Sequence, residues 1–481
     1  MQAEGTAPSA VSFANLWWQG RWLRDATLSI DRAGHCIGLS DGRRRGAPFI
    51  GGLTLPGIVD AHCHAFQRAL GPWTQRAASQ REDFWSWRET MYALAGRLQC
   101  DDLEAISARC YLELLRGGYT QVAEFLYLHR LGVAREPNAD RAIAAAAGHT
   151  GIGLTLLPTL YQHADFGGAP PRPGQLPFVR STERFLEDWQ ELRSRYPADG
   201  PIGLGVAFHS LRAVDIDVAT SVAQSLEDDP LCRCLHIHVA EQPAEVAACV
   251  RQHGLPPVAL LASRGLLSAR WALVHGTHAT EAELAQLCAS RATLVLCPTT
   301  EADLGDGCPA IEPYLAAGGH LAIGSDSNIA RSALGELRQL EWSQRLARGR
   351  RNVLATAQAP AVADRLYQLA AAGGPRAVGQ AAPSGTAAPS AAAVPSGAAA
   401  PQRADFVSYD GDAGDWALQE PADFLSTLVF DAPAPRAQQV MVGGRWVIRD
   451  GVHAHEAAIE ARYRETLGRL RAIIREGLHH G

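Results

Sequence analysis

At 481 residues, 47% hydrophobic and 20% charged, the chain has the length and composition of a globular protein with room for one large core and a smaller one. A formal net charge of −6 and a pI near 6.3 leave no basic footprint, which argues against nucleic acid or an anionic membrane as a partner. Ten cysteines at irregular spacings exclude a small disulfide framework, and all 44 cationic residues are arginine, because the sequence contains no lysine.

Residues 1–11 lack a basic start and an apolar centre, so no signal peptide is expected. With no run of membrane-spanning length, the expected location is cytoplasmic. Residues 13–18, the Gln19-Gly20 turn and residues 21–23 read as a hairpin, and residues 26–30 alternate as a strand does. The same texture returns at residues 404–409 and 438–451, where Gly443-Gly444 precedes Arg445-Trp446 as Gly20 precedes Arg21-Trp22. Residues 1–53 and 404–455 are therefore expected to build one small β domain from both ends of the chain.

Between them, apolar runs alternate with amphipathic helices such as 101–116 and 281–290. Eight strands are expected, at 53–61, 118–127, 151–160, 202–209, 234–240, 271–277, 292–297 and 320–325. Such alternation predicts an α/β protein with a parallel sheet, and eight units in residues 54–377 fit a (β/α)8 barrel. A doubly wound open sheet is the alternative, but no glycine-rich dinucleotide turn follows any strand. Residues 378–403 are rich in Ala, Pro, Ser and Gly with no hydrophobic face, and read as a flexible insertion. Residues 456–481 read as a C-terminal helix packed on the barrel. Cys232 and Cys234 lack a second pair and read as buried packing rather than a metal site.

In a barrel the chemistry gathers at the C-terminal strand ends. The first strand ends in His62-Cys63-His64 after Pro56-Gly57. The spacing i, i+2 puts both imidazoles on one face, with Cys63 on the other. The fourth strand ends at His209 and Arg212, the fifth at His236, His238 and Glu241, the sixth at His275 and His278, and the eighth at Asp326 and Asn328. Histidines and carboxylates at the same end of so many strands predict a metal-dependent active site.

These residues, with the Ser325-Asp326 pair, resemble the amidohydrolase superfamily over nearly the whole chain. Some members hold two metals bridged by a carboxylated lysine, which a lysine-free chain cannot supply. The resemblance therefore implies the branch with one divalent ion, Zn2+ by preference with iron or manganese as alternatives, held by His62, His64, His238 and Asp326. Within it, Ala65 to Arg68, Trp85 to Arg88, Ala123 to His129 and His209 to Arg212 resemble the formimidoylglutamate deiminases, which remove ammonia from formiminoglutamate in histidine degradation. That resemblance implies Gln67, Arg88, Tyr127, His209 and Arg212 as substrate-binding residues, and a homodimer. The 378–403 tract departs from the family pattern and puts assembly and stability in question more than chemistry.

The residue types suit that chemistry. The substrate has two carboxylates, and the guanidinium fork of Arg88 or Arg212 matches one. Asp326 is expected to act as ligand and base, His275 to stabilise the tetrahedral centre, and Glu241 to carry a proton to the departing nitrogen. His236 and His278 are expected to be structural or supporting. Two other classes stay open: a purine, pyrimidine or triazine deaminase on the same scaffold, which the arginine pair disfavours, and an inactive barrel serving as a binding module, which the full ligand set disfavours.

Overall fold

In the computed structural model, residues 8–75, 83–131, 139–198, 200–380, 402–410, 420–431 and 436–478 are described. A parallel sheet runs in chain order from Ile58–Cys63 through Tyr119–Leu126, Gly153–Leu160, Val206–Phe208, Leu235–Val239, Trp271–His275 and Thr293–Leu296 to His320–Ile323. Nearly every position along these strands is buried, as expected of strands covered by side chains inside and by helices outside. The expected fourth strand is interrupted at Gly205 into Ile202–Leu204 and Val206–Phe208. There a Cβ would stand 2.5 Å from Cys234 Sγ, so only glycine allows the neighbouring strand this close.

The first and last strands meet without a regular ladder. A single parallel bridge joins Cys63 to Asp326, where Asp326 N donates to His62 O (2.9 Å) and His64 N to Asp326 O (3.0 Å). The seam of the barrel thus lies among the residues expected to bind metal.

The second sheet draws on both chain ends, in the order Val452–His453, Arg445–Arg449, Gln439–Val442, Phe406–Tyr409, Phe49–Pro56, Ala10–Trp18, Arg21–Ile30 and Cys36–Asp41. Ala10–Trp18 and Arg21–Ile30 form the expected hairpin over Gln19-Gly20, whose φ values of 49° and 81° suit so tight a turn. Phe13 and Phe406, from opposite ends of the sequence, pack with ring centres 5.5 Å apart in a core of their own. Burial of each is worth about 1.5–3 kcal/mol.

One expectation needs correcting. The strand expected at 53–61, in the apolar run from Ile50 to Val59, is not one strand. Phe49–Pro56 belongs to the end sheet, pairing with Ala10–Trp18 and Phe406–Tyr409, and the barrel strand starts at Ile58. Gly57 makes the break: its N–H donates to Asp405 O (2.9 Å), and a Cβ there would lie 2.2 Å from Thr120. Residues 54–56, assigned above to the barrel, are in the end sheet.

Helix Cys100–Arg116 buries Leu103, Ile106 and Leu114 and ends at Gly117, where a Cβ would collide with Arg331 O. Helix Glu456–Leu478 lies against it, with Ile459, Tyr463 and Leu470 buried and Arg109 Nη1 2.7 Å from Glu460 Oε1. Cys232 and Cys234 are buried, and among the described residues neither joins a cluster of metal donors. Most of the 378–403 tract, residues 381–401, lies outside the described residues. Among the described residues no helix is long and apolar enough to cross a membrane.

Candidate active site

Four side chains converge at the seam. Asp326 Oδ1 lies 3.4 Å from both His62 Nε2 and His64 Nε2, and His62 Nε2 lies 3.0 Å from His238 Nε2. His64 Nδ1 faces Phe125 O at 3.0 Å and His238 Nδ1 faces His209 O at 2.8 Å. An Nδ1–H donated to a carbonyl leaves each Nε2 lone pair pointing into the cluster. Burial, then the charge of His62, pulls His64 down to about 3, and burial likewise lowers His62 and His238, so the imidazoles stay neutral and able to ligate. Burial works against the Asp326 carboxylate, but the hydrogen bond from His62, with the surrounding imidazoles of His62, His275 and His64, holds it well below the usual range.

The donor atoms gather in two groups that share His62, one with His64 and Asp326 and one with His238 and His275, and imidazoles with a carboxylate suit a divalent ion. Donors about 2.0–2.1 Å from one centre stand roughly 3.3 Å apart at tetrahedral angles. The observed separations of 3.0, 3.4 and 3.4 Å bracket that value. A further group, His275 with Cys297 and Asp326, also brings its donor atoms together, and Cys297 was not anticipated from the sequence.

The backbone behind these residues is held from both sides of the seam. Asp60 accepts from Ser325 N (2.9 Å) and Ser325 Oγ (2.6 Å), and Asn328 Nδ2 donates to His64 O and Asp326 O, both at 3.0 Å. Ala240, His275, Asp326 and Asn328 all have positive φ, between 47° and 71°. Such conformations cost energy in residues other than glycine, and they gather where strands must turn their side chains onto one point.

Beyond the cluster, His275 Nε2 lies 3.7 Å from Asp326 Oδ2 and 3.7 Å from Glu241 Oε1, while its Nδ1 lies 3.3 Å from Glu301 Oε1. Burial opposes a charged His275, but Glu241 and Glu301 outweigh it and lift the imidazole to about 10. Burial pushes Glu241 up to about 7, against the pull of His275 and Arg212. Arg212 Nη2 is 3.7 Å from Glu241 Oε2.

A cleft enclosing about 540 Å³, part of it open to solvent, joins these groups. Gln67, Arg88, Tyr127, His209, Arg212, Glu241, His275 and Asp326, all singled out in the sequence, line it together with His64 and His238, whereas His62 is not among its lining residues. Gln67 Nε2 donates to Tyr127 Oη (2.8 Å), leaving Gln67 Oε1 without a partner. His209 packs its ring between Tyr127 and Tyr161, at 5.5 and 4.6 Å. His236 and His278 lie outside the cleft, bonded to the carbonyls of Ala377 (2.7 Å) and Asp306 (2.8 Å).

Sequence reasoning missed the apolar wall of Phe84, Met91, Tyr92, Tyr161 and Phe178, and also Thr300 and Leu304. A signal existed for part of it: Phe84, Trp87, Arg88, Met91 and Tyr92 repeat at helical spacing along Phe84–Ala95, so one face of that helix meets the cleft.

Comparison with known proteins adds four likenesses. The amidohydrolase family model matches residues 53–447. A formimidoylglutamate deiminase of Pseudomonas aeruginosa is 40% identical over 455 residues, covering 93% of this chain and 96% of the relative, whereas an 8-oxoguanine deaminase of the same organism is 29% identical over 430 residues, 87% of each. The crystal structure of an amidohydrolase from Brucella melitensis matches with a TM-score of 0.86 at 34% identity, covering 96% of this chain and 99% of that one.

Proposed function

The chain belongs to the amidohydrolase family, and from that premise we propose that it is a metal-dependent iminohydrolase converting N-formimino-L-glutamate and water to N-formyl-L-glutamate and ammonia. The observation that carries this reading is that one cleft is lined both by two arginines, Arg88 and Arg212, and by residues of the histidine–aspartate cluster. It is a site for a small dianion with a hydrolysable carbon–nitrogen bond at its far end.

His62, His64, His238 and Asp326 are the residues that would hold a single ion, and three nitrogens with one carboxylate suit zinc. When bound, such an ion lowers the pKa of water from 15.7 to about 7 and so supplies the nucleophile at neutral pH. Arg88 and Arg212 bind the substrate carboxylates as charge-assisted pairs. Gln67, Tyr127 and His209 orient the formimino group, while Phe84, Tyr92 and Phe178 keep bulk water from it. Asp326 takes the proton released as water adds to the formimino carbon. His275 Nε2, between Asp326 and Glu241, donates toward the developing tetrahedral centre. Glu241 delivers one proton to the imino nitrogen and Asp326 passes on the second; as the C–N bond to that nitrogen breaks, the hydroxyl proton of the tetrahedral centre returns to Glu241, and ammonia leaves with the formyl group retained.

The aromatic wall gives a flat ring some purchase, so the second reading is a heterocycle deaminase. A substrate panel with metal-loaded protein separates the two. Ammonia is expected from formiminoglutamate, far less from formiminoaspartate and formiminoglycine, and none from adenine, guanine or cytosine. Brisk turnover of a ring with formiminoglutamate inert would reverse the assignment.

A further inference from the structure

The two arginines are held in an unusual way. Helix Phe84–Ala95 begins under a capping box in which Asp83 Oδ1 accepts from Trp85 N (2.9 Å) and Ser86 N (3.1 Å), while Ser86 Oγ accepts from Asp83 N (3.0 Å). Such a cap fixes the first helical turn, and with it the place of Trp85. The Arg88 guanidinium carbon lies 4.5 Å from the centre of the Trp85 ring, and that of Arg212, from a different element, 5.8 Å from the same ring. Both are within cation–π range.

Neither cation is neutralised at close range. Among the described residues Arg88 has no ion-pair partner, and the carboxylate beside Arg212 stands off at 3.7 Å. Each Nε is buried without a hydrogen-bond partner. Two cations gathered over one ring repel each other, and an indole face offsets part of that cost while leaving their outer N–H groups free for an anion.

We infer that Trp85 is the positioning residue of the carboxylate end of the cleft, a shared aromatic platform that sets the spacing of Arg88 and Arg212 so that they take the two carboxylates of a five-carbon dicarboxylate together. The inference rests on the iminohydrolase reading for the arginines' ligands and adds the group that distinguishes such a dianion from a monocarboxylate or a shorter homologue. Trp85 acts through the arginines, so its loss weakens binding and spares the chemical step.

The test is calorimetric binding of glutarate, succinate and butyrate to metal-loaded wild type, Trp85→Leu, Trp85→Met and Trp85→Phe, with kcat and KM for formiminoglutamate on each. Metal content and thermal melts establish that the variants are folded. Wild type should prefer glutarate. The two non-aromatic variants should lose roughly 5- to 30-fold in glutarate affinity and most of the preference over succinate. Their KM should rise by the same factor, with kcat within about twofold of wild type. Trp85→Phe, which keeps a ring face, should recover to within about threefold. Unchanged glutarate affinity and KM in the folded non-aromatic variants, no glutarate binding by wild type, or a Trp85→Phe defect as large as theirs would each overturn the inference. Selective glutarate binding that depends on Trp85, with formiminoglutamate inert, would instead sink the iminohydrolase reading and leave the platform standing.

Discussion

Glu241 sits where proton traffic is expected, 3.7 Å from the imidazole of His275 on one side and 3.7 Å from the guanidinium of Arg212 on the other. Its carboxyl, raised to about 7 by burial, can both hold and release a proton near neutrality. Glu241→Gln keeps the shape and removes that capacity, so turnover should slow by about 10²–10⁴-fold with the metal retained. His238→Ala, by contrast, should lose most of the metal, as elemental analysis would record. Metal loss in Glu241→Gln would make Glu241 a ligand. A second buried carboxyl, Glu124, accepts from Ala65 N (3.0 Å) and Tyr111 Oη (2.9 Å), yet burial outweighs these bonds and raises it from 4.5 to about 8. Being neutral in the folded state where the unfolded chain would ionise it, Glu124 binds more protons folded than unfolded between those values. Stability should therefore decline as pH rises through that window. In Glu124→Gln the decline should flatten, with denaturation midpoints diverging from wild type toward pH 8; parallel curves would contradict the assignment. The convergence of His62 and His64 was legible in the sequence because period-2 geometry ties i and i+2 to one face. Tyr161 and Phe178 were not, because an aromatic side chain beyond a strand end reads as core until its neighbours are known. Glu301, the partner of His275 Nδ1, was hidden because it stands on the short helix Pro298–Leu304, which follows a different strand.

At the scale of elements, the two sides of the seam are tied to the chain's last helix. Glu113, on Cys100–Arg116, receives Arg68 from the turn after the His62–His64 pair (2.6 Å), Arg331 from the loop after Asp326 (2.8 Å) and Arg109 (2.9 Å). Arg68 also donates to Tyr463 Oη (3.2 Å) on Glu456–Leu478. Burial disfavours the Glu113 carboxylate, but these arginines hold it below its usual pKa. Replacing it with Gln leaves partly buried cations short of an anion, and should lower stability by about 1–3 kcal/mol, visible as a reduced Tm. An unchanged melt would show the network to be surface decoration. Element boundaries show where sequence reading stops. Barrel strands buried on both faces appear as apolar runs, and each of the eight expected runs overlaps one. The run from Ile50 to Val59 crosses from one sheet to the other without a change in hydropathy, so only Pro56 and Gly57 mark the junction, and their meaning depends on Thr120 and Asp405 beside them.

For the molecule as a whole, the sheet built from both ends ties residues far apart in sequence to the strand that enters the barrel. Phe49–Pro56 pairs on one edge with Ala10–Trp18 and on the other with Phe406–Tyr409, and continues after Gly57 into the strand that ends at His62 and His64. This placement was legible in outline from the paired Gly-Arg-Trp turns, whereas the register was not, because several pairings satisfy the same alternation. The central claim is that water replaces the imino nitrogen of a formimino group while the glutamate nitrogen stays bonded. Carbon NMR of metal-loaded protein acting on substrate labelled at the formimino carbon tests it directly. The label should appear in N-formyl-L-glutamate, with one ammonia released per turnover. Its appearance in formamide, with free glutamate, would place the cleavage at the wrong C–N bond and contradict the account.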